Sequence, residues 1–286
     1  MNDLPYFIAI GAWGDTLSYY AVICSKMKTM GITKANILHY GFDPKIKDFL
    51  EYQDNIEKAI NVIPTSVEAY EKIIQIASFG VNKWVEIIFG IPAEKVILVI
   101  DFNVMVNEKI VRHFDYKIPS NEISVPPNSI LFNPYSFQSC TYKEHCSFTN
   151  AILAFLVEET DHPVVLVGLE KTFNIIYGWW DFPMQVDHPQ VINLVGKTKS
   201  MMEVLSLSQD CVGIISTSGC LAAWSIITNT PAIILMNSRL TNPSSSIGLE
   251  YWKAWHEHEP NQCVYFDQTI DDFKNVFENC PMDLIG

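Results

Sequence analysis

Arginine is almost missing from this chain. Arg112 and Arg239 stand alone against seventeen lysines, so a planar, bidentate clamp on phosphate or carboxylate has only two possible sources. Positive charge is short altogether. A formal net charge of −13 excludes a protein whose whole surface grips nucleic acid or anionic membrane, because such binding works through Lys and Arg neutralising phosphates; only a local basic groove stays compatible with it. Long apolar runs are missing too: the longest candidate, Cys220–Met236, is broken by Asn229, Thr230 and Pro231 and reads as helix, turn and strand rather than a membrane span. No basic stretch followed by an apolar segment and a cleavage site opens the chain, which leads to the expectation of a cytoplasmic, soluble protein. Seven cysteines, an odd number without tight repeating spacing, fit a reducing compartment better than a disulfide framework. Cys140, His145 and Cys146 match no zinc spacing, and neighbouring His256, Glu257 and His258 would point apart on a helix and read as surface. No metal is expected.

What is present is a well-packed globular balance, 49% hydrophobic against 18% charged, far from the disordered regime. The length of 286 residues slightly favours two domains over one. Apolar runs at Tyr6–Ile10, Ala35–Tyr40 and Lys95–Ile100 read as strands. After Gly11, Ala12, Trp13, Gly14 and Asp15 a segment to about Met30 has helical periodicity, and helical patterns fill Pro44–Ile60, Ser66–Ser78 and Asn82–Phe89. Periodicity weakens between Arg112 and Asn128, where Pro119, Pro126 and Pro127 fall, and the domain boundary is placed there, giving residues 1–122 and 123–286. Beyond it come a strand at Ser129–Phe132, a helix at Lys143–Glu159, a strand at Val164–Gly168, a short helix at Leu169–Tyr177 and a strand at Val191–Leu194. A strand near Val264–Phe266 and a helix from Ile270 to Asn279 close the chain, and that final helix could pack back on the first domain. Alternating strands and helices with near-continuous apolar strands imply parallel sheets covered on both faces. The expected fold is α/β: two Rossmann-like, doubly wound domains facing across a cleft.

The segment Asn193–Asn237, NLVGKTKSMMEVLSLSQDCVGIISTSGCLAAWSIITNTPAIILMN, is the most informative. It runs helix, buried strand, Thr-Ser-Gly turn, helix, buried strand, and so sets the amides of Thr217, Ser218 and Gly219 beside a helix N-terminus at the carboxyl end of a parallel strand, where a diphosphate is favoured. A lone turn of this kind is usually an ordinary N-cap; the strand order around it makes binding the better reading. Lys143 and Lys197 are the cationic candidates for the same anion, with Ser136 and Ser139 as hydroxyl donors and Arg239 just beyond the last strand. Each lysine is as readily a solvated surface charge. At the other end of the chain, Gly11 and Gly14 either serve a tight strand-to-helix turn or allow a ligand to approach the backbone. Asp15 either caps the helix or takes a proton as general base.

These two segments resemble the ADP-heptose:lipopolysaccharide heptosyltransferases, glycosyltransferase family nine. INLVGKTKSMMEVLSLSQDCVGIISTSGCLAAWSIITNTPAIIL follows the family's Leu-x-Gly-Lys-Thr, helix, strand, Asp-Ser-Gly, helix and Thr-Pro-strand pattern. FIAIGAWGDTLSYYAVICSKMK resembles its opening strand, Gly-Asp loop and helix, and ILFNPYSFQSCTYKEH occupies the place of its strand, loop and Lys at the start of the donor domain. The resemblance implies the two-domain glycosyltransferase-B fold and a metal-independent, inverting transfer of a sugar from a nucleotide diphosphate donor to a glycan acceptor such as a lipopolysaccharide core. It implies Asp15 as general base and Gly11, Trp13 and Gly14 at the acceptor. It implies Ser136, Ser139, Lys143, Glu170, Asn193, Lys197, Thr217, Ser218, Gly219 and Arg239 at the donor, Glu170 and Asn193 toward its base or ribose, with no cofactor. Two departures stand out: where the family has Asp-Ser-Gly-x-x-His, this chain has Thr217 for the Asp and Ala222 for the His. Alternative acceptors are another glycan, a protein or a hydroxymethylated base of viral DNA. The rivals from other classes are a non-catalytic nucleotide-sugar binder and a nucleotide-sugar epimerase on the same plan.

Overall fold

The apolar runs form parallel strands. In the computed structural model the chain divides into two units, Met1–Ile118 and Pro119–Gly286. The structure describes residues 4–78, 83–97, 116–118, 120, 122–135, 146–174, 178–182, 184, 186–217, 219–236, 261–265 and 267–284. In the first unit β1 (Tyr6–Ile10), β2 (Ala35–Tyr40), β3 (Ile56–Val62) and β4 (Val96–Ile97) make a parallel sheet in the order β3-β2-β1-β4. All six residues of β2 are buried, the signature of a strand covered on both faces. Helix α1 (Trp13–Met30) is buried over most of its length and ends at Gly31, whose φ of 68° gives the left-handed C-cap that glycine adopts at no steric cost. The short α2 (Lys45–Glu51), α3 (Val67–Ser78) and α4 (Lys83–Phe89) complete this unit.

The second unit holds β5 (Ile130–Asn133), β6 (Val164–Leu166), β9 (Val191–Asn193), β10 (Gly213–Thr217), β11 (Ala232–Met236) and β12 (Asn261–Tyr265). They form one parallel sheet in the order β12-β11-β10-β5-β6-β9. Counted along the chain within this sheet, the order is the doubly wound one, with the first and fourth strands adjacent at its centre. Helices α5 (Cys146–Glu159), α6 (Met201–Leu207), α7 (Cys220–Thr228) and α8 (Ile270–Glu278) accompany it. The core between sheet and helices gathers Phe132, Ile152, Leu156, Leu166, Ile215 and Phe273. Trp224, fully buried on α7, satisfies its indole N–H on Ser208 Oγ at 3.0 Å. The expected parallel, doubly wound α/β class is therefore the observed one. Among the described residues no helix is long and apolar enough to cross a membrane.

Two expectations fail, each for a local reason. The helical stretch expected over Pro44–Ile60 is a seven-residue helix followed by β3. Ala35 pairs with Ile56 but Asn36 pairs with Lys58, so Glu57 is an extra residue. This bulge buries both Ile56 and Ala59, and the resulting i, i+3 spacing reads as helical. The short helix expected over Leu169–Tyr177 is instead the first strand of an antiparallel hairpin, β7 (Lys171–Asn174) with β8 (Gly178–Asp181). Apolar residues at 169, 173, 176 and 177 satisfy a 3.6-residue period by coincidence over so short a run.

Candidate active site

In doubly wound sheets a ligand lies outside the carboxyl ends of the strands, where the strand order reverses. In the first unit that point falls between β1 and β4, and the loop leaving β1 is Gly11–Ala12. Gly11 has φ 121°, a region that side chains avoid. Its N–H donates to Tyr40 O at 3.0 Å, and its carbonyl lies 3.2 Å from His39 Nε2. His39 is fully buried in β2, with Thr16 Oγ1 3.1 Å from the same nitrogen and Asn61 Oδ1 facing the other. Burial pushes the imidazole pKa below its ordinary value, against the hydrogen bonds to Asn61 and Gly11, so the ring is neutral at pH 7 and acts as a polar rivet between β2, the turn and α1.

Asp15 occupies the third position of α1, and its Oδ2 accepts the N–H of Ala12, the N-cap, at 3.2 Å. This is the acidic half of a capping box; Ala12 has no oxygen to supply the other half. The carboxyl group is only partly accessible and closely crowded by protein. Loss of water pushes its pKa up to about 6, with the Ala12 N–H pulling the other way. Capping and proton acceptance are thus compatible at this residue: one oxygen is held by the backbone, and the group is ionised at neutral pH yet basic enough to take a proton. Trp13 is buried, edge-on to Phe49 at 5.8 Å, and its indole N–H donates to Asp43 Oδ2 at 2.7 Å. Its side chain pins α1 to the loop after β2. Gly14 is partly exposed in the first turn.

In the second unit the reversal lies between β5 and β10. Thr217 ends β10, Gly219 is the N-cap of α7 and Cys220 its first residue. The simple N-cap role weighed for Thr217 is therefore filled by a residue without a side-chain oxygen. Thr217 is 2% exposed, and its hydroxyl has no hydrogen-bond partner among the described residues. Asn133, the last residue of β5 and in register with Ser216, likewise leaves Oδ1 buried without a partner. Side chains alternate along a strand, so Asn133 and Thr217 flank the reversal from opposite faces of the sheet. Buried polar atoms are ordinarily satisfied, so these two, which have no partner among the described residues, distinguish the reversal from the rest of the sheet. Asn133 escaped sequence reasoning; its signal was a polar residue ending an apolar strand just before Pro134.

Glu170, Asn193 and Lys197 are brought together at the opposite edge of this sheet. Asn193 ends β9, its Oδ1 accepts the Val195 N–H at 3.1 Å and its carbonyl accepts Lys197 Nζ at 2.7 Å. Glu170 is exposed, and its side chain lies against Gly196, where no Cβ would fit. β9 is three strands from β10, or about 14 Å at the usual spacing, so the structure does not bring Lys197 to the Thr217 turn. Ser136, Ser139, Lys143, Ser218 and Arg239 lie outside the described residues, as do Cys140, His145 and His256–His258.

No family model and no curated protein sequence matches the chain. Solved structures do. A family 9 glycosyltransferase from Veillonella parvula superposes with a TM-score of 0.51 at 12% identity over 96% of this chain and 89% of its own. Escherichia coli ADP-heptose lps heptosyltransferase II gives 0.57 at 14% identity over 99% and 100%. E. coli heptosyltransferase WaaC with ADP gives 0.54 at 11% identity over 96% and 98%. With its two parallel α/β sheets, each carrying a loop of candidate residues at its order reversal, the chain has the fold of the family-nine heptosyltransferases.

Proposed function

We propose that this protein is a glycosyltransferase that moves a sugar from a nucleotide diphosphate donor to an acceptor hydroxyl. The observation that carries the reading is the pair of buried groups without a partner among the described residues, Thr217 Oγ1 and Asn133 Oδ1, at the central strand reversal of the second unit. A hydroxyl there donates to a phosphate, a side-chain amide oxygen accepts from a sugar or ribose hydroxyl, and the first amides of α7 add the positive end of a helix. Charge gathers on the leaving diphosphate as its bond to the sugar breaks, and donors fixed in place stabilise that charge without reorganising. Helix amides supply there the positive potential that a divalent ion supplies in other enzymes, which favours a metal-independent reaction.

In the first unit Asp15 takes the proton of the attacking hydroxyl. Direct attack from the side opposite the leaving group inverts the anomeric carbon. The E. coli neighbour named for ADP-heptose and lipopolysaccharide supports an ADP-linked sugar and a glycan acceptor. Glu170, Asn193 and Lys197 lie by β9, three strands or about 14 Å from β10, a span that suits the base and ribose end of a donor whose phosphates lie at Thr217.

The test is a thermal-shift panel of nucleoside diphosphates and their sugars. A ligand at a hundred times its Kd stabilises the folded form by about 2.7 kcal/mol, so a rise of several degrees with one nucleotide is expected; if the whole panel leaves the midpoint unmoved, the reading fails. Thr217→Val sharpens it. Without ligand this near-isosteric change removes an unsatisfied buried hydroxyl and leaves stability equal or up to ~1–3 kcal/mol higher. With the stabilising nucleotide, the shift shrinks. A variant that binds the nucleotide as tightly as the parent rules out the Thr217 contact.

A further inference from the structure

The end of β2 carries an array of rings that the reaction above does not use. Tyr40 is its last residue and takes the Gly11 N–H on its carbonyl. Tyr70 of α3 stacks on Tyr40, with centroids 6.0 Å apart and planes at 16°. Phe42 lies 5.2 Å from Tyr70 and is 46% exposed, as are Ile63 at 50% and Val67 at 56% on the neighbouring loop and helix start. Trp84 backs Tyr40 edge-on at 6.4 Å. These groups sit at the carboxyl edge of the first sheet, the same edge as Asp15, and burial, followed by the nearby Asp15 charge, holds the Tyr70 phenol above its ordinary pKa. An apolar surface is here set beside a candidate base.

Among the described residues, the carboxylate charges that act on Tyr70 and on the buried His39 at this edge are those of Asp15 and Asp43. Asp15 has no cation among the groups that set its ionisation. Asp43 is engaged by Trp13, Glu68 opens α3, and Lys47 reaches Glu51 at 3.8 Å. A phosphate or carboxylate placed here would meet the crowded Asp15 carboxylate, ionised at neutral pH, in partly dehydrated surroundings, where like charges repel strongly. A ring or a C–H face instead covers exposed aromatic surface.

We propose that Tyr70 and Phe42, backed by Tyr40 and rimmed by Ile63 and Val67, form the acceptor subsite, and that the acceptor seats an uncharged group with an apolar face there, an aryl ring or the C–H face of a pyranose, in place of a phosphorylated or carboxylated sugar. This rests on the glycosyltransferase reading and narrows its acceptor class.

The experiment is a binding titration of the full chain, followed by ligand-observed NMR, with phenyl β-D-glucopyranoside, methyl β-D-glucopyranoside and glucose 6-phosphate as probes. The phenyl glucoside is expected to bind best and the phosphate worst. Phe42→Ala, at a half-exposed position that the fold tolerates, weakens the phenyl glucoside by about threefold to tenfold; Val67→Ser weakens it less, and Tyr70→Phe keeps the stack and the affinity. The inference is overturned if glucose 6-phosphate binds more tightly than the phenyl glucoside, if no probe binds, or if Phe42→Ala changes nothing. The nucleoside diphosphate shift, read on the same variants, separates the two claims: its absence in the parent chain defeats the transferase reading, while its presence with an indifferent Phe42→Ala defeats only the subsite.

Discussion

Asp15→Asn is expected to fold, to bind the nucleotide as the parent does, and to transfer sugar some ~10²–10⁴-fold more slowly, the range that a positioned general base contributes. Asn keeps an oxygen for the Ala12 N–H that Asp15 Oδ2 now accepts, so the turn survives and only the proton acceptor is lost. Initial rates at saturating donor measure it. The parent's kcat/KM should be level above pH 6 and fall about tenfold per pH unit below it, because crowding has moved the Asp15 pKa from 3.8 to about 6. Stability runs the other way. Between pH 3.8 and about 6 the folded form holds a proton that the unfolded chain has released, so this group's contribution is full below pH 3.8, declines as pH rises through the window, and is gone above it. At pH 7 the native protein therefore carries an ionised carboxylate that its surroundings disfavour. Asp15→Asn removes it and should be more stable at pH 7, by on the order of 1 kcal/mol, the partial access to water keeping the figure small. At pH 3.5 the gain disappears. A variant that turns over normally, or a parent active without loss down to pH 4, removes Asp15 from the chemistry. One that is slow and also less stable at pH 7 points to a purely structural carboxylate.

The parts of the molecule that were legible in the sequence are those whose environment is uniform. β1, β2, β10 and β11 are buried along their whole length or nearly so, and an apolar run between a turn and a helix leaves little choice. β3 was hidden because its bulge imitates a helical spacing, and the hairpin at 171–181 because four residues can satisfy two periods at once. The candidate site divides in the same way. Gly11 follows β1 directly, Asp15 lies in the first turn of the next helix and Thr217 ends β10, and the carboxyl end of a parallel strand can be recognised from local order alone. His39 and Tyr70 could not be found so, and Asn133 showed only as a polar residue ending an apolar strand before Pro134. Asn133 gains its meaning from lying beside β10, His39 from meeting Thr16 and Asn61, and Tyr70 from the ring of Tyr40. Each of these is a product of sheet register and helix docking, which the pattern along one strand does not encode. The same limit applies to Lys197: its place after a Leu-x-Gly motif suggested the phosphates, and only the strand order shows how far β9 stands from β10.

Gly11→Ala and Gly31→Ala make a pair whose difference measures how tightly the turn grips Asp15. Both glycines have positive φ, 121° and 68°. At Gly31 nothing lies within 4 Å of an added methyl group, so the change costs only the left-handed backbone penalty, about 1–2 kcal/mol, and transfer activity is untouched. Gly11 is worse on both counts. Its backbone region is harder for a side chain, at ~1–3 kcal/mol, and the methyl would run into the Asp15 side chain, with Cγ at 2.8 Å. Relief on the far side is closed, because the Gly11 N–H is held by Tyr40, its carbonyl by His39, and Gly41 is packed against that carbonyl. What can move is Asp15. A displacement near 1 Å of a reacting group is worth about a hundredfold in rate, so Gly11→Ala should lose activity on that scale in addition to unfolding at lower denaturant than Gly31→Ala. Denaturant midpoints and single-turnover rates of the two variants decide the matter. Equal midpoints with equal rates would mean that the turn yields and that Asp15 is not held where the geometry places it.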